Sequence, residues 1–159
     1  MATKTTTVTT TNLSAGETYT RVATAAESIR NDEPATIATM SAGDVVRQGD
    51  LYLVAIDEMP ASAGRYPGRQ LTPGSTQGSR HVVEGECTLY TPQAASAQAI
   101  LDRLIPAAAG SLHFFGPVVL AAGPVTITHP EHGHRTLPAG TYLTTYQRSW
   151  ADEIRRQVD

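Results

Sequence analysis

The sequence predicts a mainly β protein, a small antiparallel β-sandwich or barrel that carries an N-terminal arm and three helices. Segments rich in β-branched and aromatic residues recur from residue 45 onward. Gly- or Pro-containing turns separate these segments. The chain has 159 residues, 40% of them hydrophobic, and one cysteine, so it can bury a core of its own without any disulfide framework.

The first residues predict an extended arm, because they are rich in threonine and offer almost no apolar surface to a core. Such an arm gains order only when another surface holds it. We therefore expect it to bind a neighbouring subunit or a protein partner. The residues expected to make this contact are Thr5, Thr6, Thr7, Val8, Thr9 and Leu13.

An amphipathic helix is predicted over residues 14–31, where apolar side chains recur at offsets of three and four. Pro34 disfavours helical geometry at the residue before it and ends this helix. Residues 35–44 are small and polar and are interpreted as a linker. The chain is thus divided into an appendage over residues 1–44 and a β-domain over residues 45–159.

Within the β-domain, strands are predicted over residues 51–56, 80–90, 112–120, 124–129 and 141–147. Turn signals stand between them at residues 48–50, 67–68, 72–74, 122–124 and 137–140. A second helix is predicted over residues 92–105 and ends at Pro106. A third is predicted from Trp150 to Val158, because Trp150, Ile154 and Val158 follow at spacings of four.

Composition excludes some classes of function. The chain has 12 Lys and Arg against 15 Asp and Glu, a net charge of −3, so it offers no basic surface for nucleic acid. It contains no apolar run of about 20 residues and no recognisable secretion signal, so we expect no membrane span and no export.

A histidine cluster is the strongest candidate for chemistry. His129, Glu131, His132 and His134 follow one predicted strand, and His81 begins another. Imidazole and carboxylate are ligands for zinc, iron or manganese, and the arrangement resembles that of cupins, β-barrels that hold a metal between strands. The alternative is a Gly- and Pro-rich bend, in which His129 leans on the sheet and the rings of His132 and His134 are largely solvated. This bend is the expected arrangement, with no metal and no cofactor.

Other catalytic patterns are missing from the sequence. Cys87 lies within a predicted strand beside Glu86, where a structural thiol is expected and nearby acids would raise its pKa. No nucleophile elbow, phosphate-binding loop or dinucleotide fingerprint is present. Tyr142, Tyr146 and Trp150 share one face of the last strand and are expected in a core or an interface.

Several segments resemble a group of small uncharacterised proteins encoded in bacterial and phage genomes. These are residues 48–53 (QGDLYL), 80–86 (RHVVEGE), 128–132 (THPEH), 137–142 (LPAGTY) and 146–150 (YQRSW). The resemblance covers about residues 45–159 and implies a β-domain of possible phage origin. In that group a Gly-His-x-His element stands where this chain has Gly78-Ser79-Arg80-His81.

The sequence favours a non-enzymatic structural role. We expect an assembly protein that forms a homo-oligomer, most concretely a subunit that decorates or cements a phage capsid and is held to its neighbours by the arm. Its expected location is the virion or the host cytoplasm. The alternative is a cupin-like metal-binding protein or enzyme that uses the histidine cluster.

Overall fold

The computed structural model describes residues 5–6, 34–72, 80–109, 113–146, 148–150 and 154–156. In this part of the chain one α-helix, α1 (Ala94–Leu104), and a 3-10 helix (Pro106–Ala108) accompany the strands. The strands are β1 (Thr5–Thr6), β2 (Ala35–Ile37), β3 (Val45–Gln48), β4 (Leu51–Ile56), β5 (Ser62–Tyr66), β6 (Val82–Pro92), β7 (Phe115–Thr128), β8 (Arg135–Leu137), β9 (Gly140–Tyr146), β10 (Arg148–Trp150) and β11 (Ile154–Arg156).

The long strand β7 is the centre of the main sheet. It pairs antiparallel with β6 along one edge, and its other edge is divided between β9 and β8. From β9 the sheet continues through β4 to β3, and from β8 through β2 to β1. The prediction of a mainly β protein is confirmed, but β1 to β9 form one curled sheet, a half-barrel, in place of a closed barrel or a two-sheet sandwich. Within the described residues, β10 and β11 pair only with each other.

Both faces of this sheet carry buried apolar side chains, so one sheet contributes to two hydrophobic clusters. On β4, Leu51 and Leu53 belong to the cluster on one face, whereas Val54 and Ile56 belong to the cluster on the other. This follows from the alternation of side chains along a strand. The second face is covered by α1, whose buried residues are Ala97, Ile100 and Leu101. The helix predicted over residues 92–105 is thereby confirmed.

The turn predicted at residues 122–124 is wrong, because β7 runs through it without reversing. Gly85 pairs with Val125 and Cys87 with Ala121, so β7 advances four residues while β6 advances two. Pro124 has no N–H to donate and fits at such an irregularity. The Gly and Pro residues therefore mark a bulge, which a turn signal in the sequence does not distinguish from a chain reversal.

The segment interpreted as a linker, residues 35–44, contains a strand that was not predicted. β2 lies inside the segment interpreted as a linker and pairs with β8 in the main sheet. β1 pairs in parallel with β2, which makes Thr5 and Thr6 the outermost strand at that edge. The helix predicted over residues 14–31 lies outside the described residues. The division of the chain at residue 44 stays a prediction.

The helix predicted from Trp150 to Val158 is not found, because Ile154–Arg156 is a strand that pairs antiparallel with Arg148–Trp150. In this register Trp150 lies opposite Ile154. Residues four positions apart share a helix face, but they also face each other where a hairpin closes over three residues. The spacing that predicted a helix is therefore equally typical of this hairpin.

Candidate functional site

Polar side chains are buried together where three connections meet. The β3–β4 turn supplies Gln48 and Asp50, the segment before β6 supplies His81, and the loop after β7 supplies His129. Arg135 follows at the start of β8. All five are at most 4% exposed. Because an unpaired polar group is costly in a protein interior, their hydrogen bonds define what the site can do.

His81 is at the centre of this group. Its Nδ1 atom lies 3.1 Å from Oε1 of Gln48, and its Nε2 atom lies 3.1 Å from Oδ1 of Asp50. Both ring nitrogens are therefore held by the β3–β4 turn, 31 and 33 positions earlier in the chain. The turn itself was predicted from the Gly49 signal and is confirmed.

Gln48 connects His81 to the histidine loop. Its Nε2 atom donates to the carbonyl oxygens of Ile127, at 3.1 Å, and Gly133, at 2.8 Å. These carbonyls lie on either side of the loop that joins β7 to β8. One side-chain amide thus clamps both ends of the loop and also contacts the His81 ring.

His129 orders the interior of the same loop. Its Nδ1 atom accepts hydrogen bonds from the backbone N–H groups of Glu131 and His132, both at 3.1 Å. This contact closes a tight bend around Pro130, as predicted from the proline and glycine in the loop. His129, which was predicted to lean on the sheet, is buried.

Three imidazole rings lie next to one another at the site, and two of them, those of His129 and His132, are stacked. The His129 centroid lies 4.4 Å from that of His81 and 4.4 Å from that of His132, with the His129 and His132 planes tilted by 22°. His132 is half-buried, so the prediction of a solvated ring is wrong for this residue. The bend turns its ring back onto His129 instead of away from it. His134 and Glu131 are exposed.

Arg135 fixes the exit of the loop. Its Nη1 atom donates to the carbonyl oxygens of Gly133, at 3.1 Å, and His134, at 3.3 Å. Burial lowers the pKa of this guanidinium from its usual value, because the charged form loses its hydration. The carbonyl oxygen of Gly133 thus accepts two hydrogen bonds, one from Gln48 and one from Arg135.

These contacts do not form a metal site. Within the described ranges, no three His, Cys, Asp or Glu side chains are arranged to hold an ion. The Nδ1 atom of His129 already accepts two hydrogen bonds, and both nitrogens of His81 contact oxygen atoms of other side chains. Of the residues named for the metal-binding alternative, the structure brings together His81, His129 and His132.

Sequence reasoning missed Gln48, Asp50 and Arg135. The first two lie in the segment QGD, which was interpreted only as a turn. The available signal was that two polar residues flank a glycine immediately before an apolar strand. Their partners lie 31 to 85 positions away, a separation that no local pattern reveals. Arg135 begins a strand of three residues that was not predicted.

Cys87 lies on β6, outside this site. Burial raises the pKa of its thiol, and the guanidinium of Arg69, whose Nη1 lies 2.8 Å from Sγ, partly opposes that effect. The expected direction of the shift is confirmed, but the cause is burial and not the neighbouring acids. The thiol is therefore poorly suited to act as a nucleophile.

The arm residues are only partly described. Thr5 and Thr6 form β1 and pair with Thr36 and Ile37. Thr7, Val8, Thr9 and Leu13, which were also expected to contact a partner, lie outside the described residues.

Residues 47–147 match a family described as a domain of unknown function, DUF8820. The chain belongs to the DUF8820 family. The matched region runs from β3 to the end of β9 and includes every residue of the buried polar site. It agrees with the expectation of an uncharacterised β-domain in this part of the chain. No curated protein and no solved structure gives a significant match to this DUF8820 chain. No helix in the described residues is long and apolar enough to cross a membrane.

Proposed function

We propose that this chain is a non-enzymatic assembly module, in which the N-terminal arm adds a strand to the sheet of a second copy. The observation that carries the proposal is the position of β1, which pairs with β2 as the outermost strand of the main sheet. Residues 7–34 separate the two strands along the chain. The arm therefore reaches its site across a long connection, and such a connection allows the strand to reach the same edge of a second copy.

The pairing itself favours exchange. A strand added to a sheet edge is bound by main-chain hydrogen bonds, and identical copies of a chain offer identical edges. The two residue pairs, Thr5 with Thr36 and Thr6 with Ile37, contribute little to the stability of one chain, so exchange between copies costs little. An edge strand is also the part of a sheet most prone to pair with another chain.

The narrower form of the proposal is a component of a phage particle, such as a subunit that decorates or cements a capsid. Its support is the sequence resemblance to phage-encoded proteins together with the arm. The buried histidine site fits a supporting role in such a protein, because its hydrogen bonds join three connections of one sheet.

The test uses the full chain and three variants, and it measures mass by light scattering over a range of concentrations. We expect the wild type to form a homo-oligomer. Deletion of residues 1–13, and the double variant Thr5→Pro with Thr6→Pro, should reduce the mass to that of one chain, about 16.9 kDa for the full length. Proline removes the N–H donors that strand pairing needs.

The matched control is Thr5→Val with Thr6→Val, which retains β-branched residues and all backbone donors and should preserve the oligomer. The melting temperature of the deletion variant should stay within a few degrees of the wild type, measured at a concentration where both are monomeric. A wild type that remains monomeric at every concentration, or a deletion variant that still assembles, would contradict the proposal.

A further inference from the structure

The hydrogen bonds around His81 determine where its protons lie. Gln48 is 0% exposed, and its Nε2 atom faces two backbone carbonyl oxygens, of Ile127 and Gly133. Carbonyl oxygens only accept hydrogen bonds, so this end of the amide must be the NH₂ group. The Oε1 atom of Gln48 is then the end that faces His81, and it can only accept.

The second nitrogen of the ring also faces an acceptor. Nε2 of His81 lies 3.1 Å from Oδ1 of Asp50, whose side chain is 4% exposed. A carboxylate accepts and does not donate. With an acceptor on each side, a neutral imidazole would place the lone pair of one nitrogen against the lone pair of an oxygen. That contact is costly in a buried site.

We propose that His81 is held as an imidazolium at neutral pH, with Nδ1–H donating to Gln48 and Nε2–H donating to Asp50. The ring and the Asp50 carboxylate then form a buried ion pair with no net charge. This pair joins the β3–β4 turn to the start of β6, and through Gln48 it holds the loop that carries His129 and His132.

The neighbouring titratable rings are compatible with this charge. The groups that face the His81 ring include Asp50 and Gln48 at its nitrogens, and His129 and His132, whose ring centroids lie 4.4 and 6.3 Å away. The other cation among the five buried polar residues is Arg135, whose guanidinium donates to the same Gly133 carbonyl as Gln48. Nδ1 of His129 accepts two backbone hydrogen bonds and so carries no proton, which makes this ring neutral when Nε2 is protonated. A neutral His129 ring, with its centroid 4.4 Å from that of the imidazolium, adds no like charge.

The inference also explains why the histidine cluster does not fit a metal. A metal binds the lone pair of a neutral imidazole, and an imidazolium has none. His81 is therefore a structural cation in this arrangement, although a cupin-like site would have used it as a ligand.

The direct test is nitrogen NMR of the ¹⁵N-labelled wild-type protein at neutral pH. Both ring nitrogens of His81 should show one-bond coupling to a proton, because buried N–H groups exchange slowly with water. The ring of His129 should show one protonated nitrogen, Nε2. A His81 ring with one unprotonated nitrogen would overturn the proposal.

Two variants supply a matched comparison. In Asp50→Asn, the new amide can donate to Nε2, so His81 should lose one proton and retain only Nδ1–H. In His134→Asn, which changes an exposed histidine of the same loop, both His81 protons should remain. If His81 stayed doubly protonated in Asp50→Asn, Asp50 would not be the group that sets its charge.

Addition of Zn²⁺ alone to the wild type separates the two roles of His81. The two His81 N–H signals should persist after one molar equivalent of Zn²⁺ has been added. Loss of either signal, together with stoichiometric binding of zinc, would show that His81 is a ligand and would contradict the proposal.

Discussion

Tyr142 shows how burial alone changes the chemistry of one side chain. Its ring is 1% exposed, and its hydroxyl donates to the carbonyl oxygen of Pro138 at 2.6 Å. Burial raises the pKa of Tyr142 to about 12, because the phenolate would be poorly hydrated in the core. The hydroxyl also links β9 to the turn that precedes it.

This shift predicts a loss of stability in alkaline solution. An unfolded tyrosine ionises near pH 10, whereas Tyr142 in the folded state keeps its proton until about pH 12. The stabilising contribution is therefore complete below pH 10 and is lost as the pH rises from about 10 to 12. Two units of pKa correspond to about 2–3 kcal/mol of the free energy of unfolding.

The measurement compares urea unfolding of the wild type and Tyr142→Phe at several pH values. At neutral pH the variant should lose about 1 kcal/mol, the contribution of one hydrogen bond. Between pH 10 and 12 the wild type should lose about 2–3 kcal/mol more than the variant does. Parallel pH curves for the two proteins would show that Tyr142 does not carry the alkaline transition.

The strand β7 combines one very tight position with one open position. A Cβ atom on Gly116 would collide with the Tyr146 hydroxyl and would lie 2.9 Å from the carbonyl oxygen of Leu71. The Tyr146 hydroxyl donates to that same carbonyl, so Gly116 makes room for a buried hydrogen bond. At Gly123, in the bulge of the same strand, an added Cβ atom would meet nothing within 4 Å.

Gly116→Ala should therefore lower the free energy of unfolding by roughly 2–4 kcal/mol, through overpacking and the loss of the Tyr146 hydrogen bond. Gly123→Ala is the matched control and should change it by less than about 1 kcal/mol, in either direction. Chemical denaturation of both variants measures the difference. Equal effects of the two substitutions would mean that Gly116 is not the constrained position.

Local sequence patterns predicted the strands and the helix whose formation depends mainly on neighbouring residues. β4 was predicted with its observed bounds, and α1 differs from its prediction by one or two residues at each end, because alternation and helical periodicity depend on neighbouring residues. The bulge in β7 was interpreted as a turn, since Gly and Pro favour both. Strands as short as β2 and β8 contain too few residues to show a pattern.

The candidate site was predictable only in part, for the same reason. His81, His129 and His132 could be named because histidine is a rare and chemically distinctive residue in this chain. Gln48 could not, because its role depends on carbonyl groups 79 and 85 positions away. Whether the rings stack or diverge depends on the Nδ1 contact of His129, which is a property of the folded loop.

The molecule as a whole depends on one sheet with apolar residues on both faces. Leu101 packs with the cluster under α1, whereas Leu137 packs with the cluster on the opposite face. Strands β4, β7 and β9 contribute to both clusters, so the unfolding of any one of these strands would disrupt the packing on both faces. We expect the described sheet and its helix to unfold as one cooperative unit.

Three leucine substitutions test this expectation. Leu101→Ala and Leu137→Ala should each lower the free energy of unfolding by about 2–5 kcal/mol, the usual effect of a cavity in a core. Leu120→Ala, on β7 but 42% exposed, is the control and should cost less than about 1 kcal/mol.

In each variant, far-UV dichroism reports α1 together with the sheet, and near-UV dichroism reports tyrosines such as Tyr142 on the face opposite α1. The two signals should show the same denaturation midpoint and an unchanged dependence on denaturant. An earlier loss of the helical signal in Leu101→Ala, with the tyrosine signal intact, would show instead that α1 unfolds independently and that the two faces are not coupled.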